Sequence, residues 1–223
     1  IFSEELTERS MQQLENAMDN KGYFQAEIDT TKEVKDKKLN LTYHVTANTP
    51  YHIRNYTISF PNADLQQIAA SERFRLLHEG MRFDVDVLNQ ERERITRAMR
   101  RNGCYFFDKE LIRFVADTTR GVRQVDVKIC LQEYVNELSD AEKAMIFRPY
   151  KVAHVYFHMD YEVDRVPEGE ELYESVVDGY EFTWIGDKLL RENVLIRNCP
   201  IRPGKEYNEY LVELAHLHGN RIQ

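Results

Sequence analysis

One segment of this chain is used twice without a gap, and a chain that repeats itself folds as an array of like units before it folds as anything else. Phe2-Ser3-Glu4-Glu5 through Ala17-Met18 to Gly22-Tyr23-Phe24 lays over Phe83-Asp84-Val85-Asp86 through Ala98-Met99 to Gly103-Cys104-Tyr105, every matched pair lying 81 positions apart. A third, partial copy opens at Tyr207-Asn208, introduced by Pro203-Gly204 much as Gly80 introduces Phe83. With 223 residues and this spacing, two to three small modules are expected rather than one large core. Opening on Ile1 inside a repeat, the chain reads as a piece of a longer array.

Copy two is the complete one. Tyr51 to Phe60 is rich in β-branched and aromatic residues, and Tyr56, Ile58 and Phe60 alternate with polar neighbours, which predicts a strand with one buried face. Asp64 to His78 carries Leu65, Ile68, Phe74 and Leu77 at helical spacing and is expected to stop at Gly80. Phe83-Asp84 then opens a second helix, with Asp84 as acceptor for first-turn amides and Phe83 packed on Leu88. Tyr207-Asn208 with Val212 repeats the device, as does Phe2-Ser3 in part. Leu88, Ile95, Ala98 and Met99 form the apolar stripe of this helix, and Asn102-Gly103 supplies the left-handed residue that ends it.

Two strands close the copy. Ile112, Phe114 and Ala116 alternate against Leu111, Arg113 and Val115, a turn follows at Asp117 to Gly121, and Val125, Val127, Ile129 and Leu131 alternate against polar neighbours. Copy one ends the same way, with Phe24 to Thr30, a Lys-rich and Asp-rich turn at Lys32 to Lys38, and Leu39 to Val45. The unit is therefore strand, helix, helix, strand, strand. The expected organisation is a partial module over 1–48 (second helix and hairpin), a complete one over 49–135, a linker over 136–149 with a short helix near Met145-Ile146-Phe147, and a partial module over 150–223. In the last, Val152 to Tyr161 is a strand, Asp164 to Gly186 an insertion, and helices lie near Leu189 to Arg197 and Asn208 to His218, with no hairpin after them. Pro50 in the short link Ala47 to Pro50 is expected to limit the orientation of the first two copies.

Bulk charge excludes one class of partner. The chain holds 38 acidic and 30 basic residues, net -8, whereas nucleic-acid binding draws on counterion release by Lys and Arg. Arg97, Arg100 and Arg101 share a predicted helix with Glu91 and Glu93 and read as a solvated, salt-bridged face. No run approaches the ~20 apolar residues of a membrane-spanning helix.

Catalytic and metal chemistry has no footing. No Cys-x-x-Cys, His-Glu-x-x-His, Gly-x-x-x-x-Gly-Lys, Gly-x-Gly-x-x-Gly or Gly-x-Ser-x-Gly occurs, so neither enzyme activity, metal nor cofactor is expected. His154 and His158 share a face of a predicted strand about 13 Å apart, too far for one ion, and His216 and His218 point to different sides of a helix. The acidic stretches Asp160 to Asp164 and Glu168 to Glu171 lack calcium-loop spacing and read as solvated loop. Cys104, Cys130 and Cys199 read as three small side chains, with a Cys104–Cys130 bridge sterically conceivable in an oxidising compartment. Tyr173, Tyr180, Phe182 and Trp184 are either a partner surface or the core of the insertion.

The βααββ unit, with Gly80-x-x-Phe83 entering a helix, Glu91-Arg92-x-Arg94-Ile95 in its middle, Arg101-Asn102-Gly103-Cys104-Tyr105-x-Phe107 leaving it and Val125-Asp126-Val127 after it, resembles the POTRA (polypeptide-transport-associated) module. The pattern covers most of the chain and is sharpest over residues 80 to 131; copy three departs most, and Cys104 stands where such modules usually place Tyr. The whole resembles the periplasmic part of an outer-membrane protein assembly factor of the BamA/TamA superfamily. The resemblance implies an α+β fold of tandem modules, each a three-stranded mixed sheet covered by two helices. It further implies a signal peptide, a C-terminal transmembrane β-barrel beyond this segment, a place at the periplasmic face of a Gram-negative outer membrane, and work in assembling or translocating outer-membrane proteins.

On that family order of strands, Lys109 to Asp117 is an edge, with Lys109 and Arg113 as charges that discourage edge pairing and Leu111, Arg113 and Val115 turned away from the helices. An extended client can add there as another strand. The implied partners are nascent outer-membrane or exported proteins, accessory periplasmic proteins or lipoproteins, and the protein's own barrel. The competing reading is a structural, adhesion or cell-division module without a barrel, which usually carries one such unit; repetition favours the first.

Overall fold

The computed structural model describes residues 2–71, 75–159, 169, 171–188 and 190–219. The expected Phe74, Leu189 and the acidic stretch at 160–168 lie outside that set. The chain separates into two compact units, Ile1–Ile95 with Asp108–Asn136, and Thr96–Phe107 with Glu137–Gln223.

In the first unit, helix α1 (Glu4–Asn20) starts where Ser3 accepts from the Leu6 amide, with Glu4 and Glu5 against the positive end of the helix. A hairpin follows, β1 (Glu27–Lys35) against β2 (Lys38–Thr46), in register from Glu27 opposite Thr46 to Lys35 opposite Lys38. The broad charged turn expected at Lys32 to Lys38 is instead two residues, Asp36 and Lys37, both at positive φ (50° and 59°). That geometry matches the right-handed twist of the flanking strands, so Lys32, Glu33 and Lys35 are paired in β1 and keep their charges in water.

Strand β3 (His52–Ser59), helix α2 (Ala63–Ala69), helix α3 (Val85–Arg101), strand β4 (Ile112–Asp117) and strand β5 (Gln124–Leu131) make the complete copy. The sheet order is β3-β5-β4, with β3 parallel and β4 antiparallel to the central β5. This is the mixed three-stranded sheet expected of the βααββ unit. Ile53, Ile112, Val125, Val127 and Ile129 from the sheet and Leu65, Ala69, Leu88 and Ile95 from the helices are all buried. Arg92 of α3 lies over the Phe114 ring of β4, centroid distance 5.2 Å, so the helix covers the edge strand as well.

Helix α2 stops eight residues or more before the expected end, and the cause is an ion pair in the core. Glu91 has no exposed side-chain surface and Arg94 only 10%; the Arg94 Nε and Nη2 donate to the two Glu91 carboxylate oxygens at 2.9 and 2.8 Å. The same Nη2 donates to the Ala69 carbonyl at 2.7 Å, and Glu91 Oε2 accepts from the Leu76 amide at 3.1 Å. A longer helix would have used both of those backbone groups within itself; side chains of α3 take them, and the segment leaves α2 to bury Leu77. Glu91 is thus not part of a solvated face. The neighbouring arginines are engaged elsewhere too, Arg100 with Glu209 at 2.9 Å and Arg101 over the Tyr210 ring.

The first unit's last segment ends in α4 (Tyr134–Glu137). In the second unit, the stretch expected as a linker holds α5 (Asp140–Phe147), opened by a full capping box in which Ser139 and Glu142 exchange side-chain and backbone hydrogen bonds. Strands β6 (Tyr156–Met159), β7 (Leu172–Val177) and β8 (Tyr180–Ile185) then form a second sheet, order β6-β8-β7, with β6 parallel and β7 antiparallel to β8. Helices α6 (Glu192–Asn198) and α7 (Glu209–Gly219) come after it. The expectation of an insertion and no hairpin is corrected: residues 172–185 of the insertion form a hairpin. It pairs with β6 as β4–β5 pairs with β3, but precedes its helices in the chain. Met159, Tyr180, Phe182, Leu195, Ile196 and Cys199 make its core. All three cysteines are buried free thiols.

Removing one partner of the buried pair leaves an uncompensated charge, so Glu91→Gln or Arg94→Met should each destabilise the first unit by about 3–5 kcal/mol, and the double replacement by well under the sum. Urea midpoints of the single and double variants test this; strictly additive losses would refute the coupling.

Candidate functional site

Among the described residues the strand order leaves β4 with a neighbour on one side only. Its register sets which backbone groups are free. The Leu111 carbonyl accepts from the Gln132 amide at 2.8 Å, and Ile112 faces Leu131, so in the antiparallel alternation Arg113, Val115 and Asp117 turn their amides and carbonyls to β5 while those of Phe114 and Ala116 face outward.

Of the four residues expected along this edge, two are in the strand. Val115 is 42% exposed. Arg113 lies in β4 and donates to Glu133 at 2.7 Å, so its charge is engaged along the sheet. Lys109 and Leu111 instead form a 3-10 turn, Lys109–Leu111, fixed by Asp108, whose carboxylate accepts from the Glu110 amide. That turn tucks Leu111 into the core instead of pointing it outward. Lys109 faces Glu93 across 3.9 Å. The open edge is therefore 112–117, shorter than the sequence suggests.

The four aromatics of the insertion divide by strand periodicity and position. Tyr180 (2% exposed) and Phe182 (1%) are core, which removes them as partner surface. Tyr180 also donates to the Ile201 carbonyl and accepts from Arg202 Nη1, both at 2.8 Å. Tyr173 remains exposed, stacked on Trp184 at 5.8 Å, and Lys188 sits over the Trp184 ring. Among the described residues β7 is also an outer strand, paired with β8 on one side; sequence reasoning missed it because its hairpin fell inside an apparent insertion. His154, two residues before β6, stacks on Tyr156, and Tyr156 on His158 within the strand, with centroids 5.7 and 6.1 Å apart. Each histidine Nδ1 is already engaged, with Glu181 and Thr183. The side chain of His218 is outside the described set. Among the described residues no group of three or more His, Cys, Asp or Glu could hold a metal ion, and no helix is long and apolar enough to cross a membrane.

Each unit also contains one copy of a backbone knot built from the repeat. In the first, the Tyr51 amide donates to the Gly22 carbonyl at 2.8 Å and the Phe83 amide to the Tyr51 carbonyl at 3.0 Å, while the Phe24 ring packs on Tyr51 and Phe83 at 5.0 and 5.3 Å. In the second, Tyr150 donates to Gly103 at 2.9 Å, Tyr207 to Tyr150 at 2.7 Å, and Tyr105 packs on Tyr207 and Tyr150 at 4.9 and 6.4 Å. Gly22 (φ 83°) and Gly103 (φ 91°) are needed twice over. Their backbones are left-handed, and a Cβ would fall 2.6 Å from the Phe83 carbonyl oxygen or 2.7 Å from the Pro149 Cβ. The shared Pro-Tyr at 50–51 and 149–150 was the available sequence signal.

Charge reinforces the first knot. Lys21 Nζ donates to Asp86 at 2.6 Å and Asp84 at 3.0 Å, and these bonds raise the ammonium above its ordinary range, Asp86 first and Asp84 next. Partial burial pushes the Asp84 carboxyl up, but the bond from Lys21 and the Asp86 amide outweigh it, so Asp84 lies below the usual carboxylate range.

Residues 1–48 match the family model of the POTRA surface antigen variable number repeat. No curated protein sequence matches the chain. Among solved structures, Haemophilus influenzae BamA POTRA3-5 aligns over 97% of this chain and 69% of its own, at 16% identity and a TM-score of 0.46. BamA from Haemophilus ducreyi lacking POTRA domains 1-3 aligns over 60% of this chain and 24% of its own (15%, 0.36), and POTRA1-3 of the periplasmic domain of Omp85 from Anabaena over 96% and 71% (15%, 0.32).

Two outcomes follow. Gly22→Ala should lower stability by more than the about 1–2 kcal/mol of a left-handed Ala, whereas Gly80→Ala, at φ 82° with nothing within 4 Å of its Cβ, should cost only that; equal urea midpoints would refute the close-approach account. Because the folded Asp84 carboxyl is lowered, its stabilisation is present above about pH 4 and lost as pH falls through the folded value, while that of the raised Lys21 is lost only at alkaline pH. The melting difference between wild type and Asp84→Asn should accordingly hold from pH 5 to pH 9 and close on acidification; a pH-independent difference would count against the pair.

Proposed function

We propose that this chain is a POTRA region and a non-enzymatic scaffold of an outer-membrane barrel assembly or translocation factor of the BamA type. It works in the periplasm, takes extended segments of nascent outer-membrane or exported polypeptides as an added strand on β4, and passes them to the factor's own membrane barrel. Accessory periplasmic proteins or lipoproteins attach to the same array. The match of residues 1–48 to the POTRA repeat and the recurrence of that pattern 81 positions on support the family reading.

The observation that carries the docking mode is the free rail of β4. Outward amides and carbonyls at Phe114 and Ala116 pair with any backbone, so affinity comes from the main chain and tolerates differing client sequences, while the exposed Val115 side chain favours clients that alternate polar and apolar residues. Arg113, already bonded to Glu133, guards against indiscriminate pairing without blocking the rail.

The register selects the test. Proline at Arg113 would remove a bond to β5, so the informative variant is Ala116→Pro, which removes an outward amide. A labelled ten-residue peptide of alternating apolar and polar residues should bind it at least tenfold more weakly than wild type, with the melting temperature retained. Adding that peptide to the wild type should slow amide exchange at Phe114 and Ala116. Unchanged affinity in a folded variant, or no protection at either amide, would reject β4 as the rail.

A further inference from the structure

Two of the positions at which the knots differ face water beside Tyr150. Lined up on Gly22 and Gly103, and on Pro50 and Pro149, Gln25 of the first corresponds to Phe106 of the second, and Thr49 to Arg148. Both replacements fall around Tyr150. The Phe106 ring is 47% exposed and sits edge-on to Tyr150 at 5.5 Å and to Tyr105 at 4.9 Å; Tyr105 is itself 50% exposed. The Arg148 guanidinium lies over the Tyr150 ring, 5.0 Å from its centroid. The first knot keeps its aromatic packing with a polar amide and a hydroxyl at these positions, so neither Phe106 nor Arg148 is required to close the turn.

We infer that Tyr105, Phe106, Tyr150 and Arg148 form a docking patch for an acidic, apolar-anchored segment of another protein, separate from the client strand on β4. Exposed rings fixed edge to face offer rigid apolar contact at low entropic cost, and Tyr and Arg are the residue types that concentrate binding energy at interfaces. Stacking on Tyr150 holds the guanidinium plane while leaving its N–H edges free for a carboxylate. Among the described residues no carboxylate pairs with Arg148, although the chain carries 38 acidic residues and a net charge of -8. That net charge repels a second copy of this chain, so attraction for a carboxylate is local and confined to an exposed, unpaired cation such as Arg148. An apolar side chain of the partner rests on Phe106 and Tyr105, and its flanking carboxylate takes Arg148.

The first knot supplies the test variant, since Phe106→Gln with Arg148→Thr installs residues that the same turn already accepts. Two labelled twelve-residue peptides with identical aromatic content, one bearing Glu at its polar positions and one Lys, are titrated into the full chain and followed by fluorescence anisotropy. The Glu peptide should bind wild type, lose at least tenfold in affinity to the double variant at an unchanged melting temperature, and be indifferent to Ala116→Pro; the Lys peptide should bind both proteins equally weakly. Equal binding of the two peptides to wild type, absence of Glu-peptide binding, or loss through Ala116→Pro instead of the double variant would each overturn the inference. So would phosphatidylglycerol vesicles bound through the patch while the Glu peptide is not, which would make it a lipid surface. Because the β4 reading is tested by its own variant, failure of either leaves the other standing.

Discussion

Everything in this chain is organised around a backbone that turns left-handed at a glycine and then runs into its own next segment. At Gly22 the chain leaves α1 at φ 83°, and its carbonyl receives the Tyr51 amide while its α-carbon lies against the Phe83 carbonyl. No residue with a Cβ satisfies both demands, because the left-handed well and the 2.6 Å approach exclude it independently. Around that point the Phe83 amide donates to the Tyr51 carbonyl, the aromatic ring two residues on closes over them, and the next strand and the next helix both begin. Gly103, Tyr150 and Tyr207 repeat the geometry in the second unit with different side chains, which shows that the backbone arrangement and not a particular contact set is what recurs.

Inside the complete copy a second constraint acts at longer range. A carboxylate and a guanidinium buried together would be costly if they served only each other. Here they also satisfy the last carbonyl of α2 and the Leu76 amide, so the pair stands in for the turn of helix that is not made. The candidate edge depends on it indirectly: the chain returns through the buried Leu77 to the turn that starts α3, and α3 lies over β4. The edge is open on its backbone side and supported from above.

Much of the architecture was legible. The repeat, the βααββ order, the caps at Ser3, Asp84 and Asn208 and the left-handed Gly103 all follow from local rules, because a capping oxygen and a missing Cβ act within a few residues of themselves. What escaped was set by partners distant in sequence. Leu65, Ile68 and Leu77 keep a helical rhythm whether or not the helix continues, and nothing near them announces that Arg94 will claim the Ala69 carbonyl. Glu91 looks like any exposed acid on a charged helix until it meets the Leu76 amide. The hairpin of the second unit hid in an apparent insertion because it stands before its helices, out of the order that the repeat had taught. The candidate edge was partly legible for the same reason: alternation from Ile112 to Asp117 marks a strand, but the Asp108-capped turn that removes Lys109 and Leu111 from it, and the register that turns Arg113 inward, come from pairing with β5.

By itself, then, the sequence determined the unit: which stretches alternate, which are helical, where each begins, and that the whole is used again, since these depend on side-chain period and on backbone preferences that each residue carries with it. Only the tertiary structure decided where α2 ends, where the edge strand β4 begins, which of its amides face away from β5, and which aromatics are core and which are surface. Those are questions of which hydrogen-bonding group meets which, and a group's partner is fixed by the packing of segments tens of residues apart, not by its neighbours along the chain.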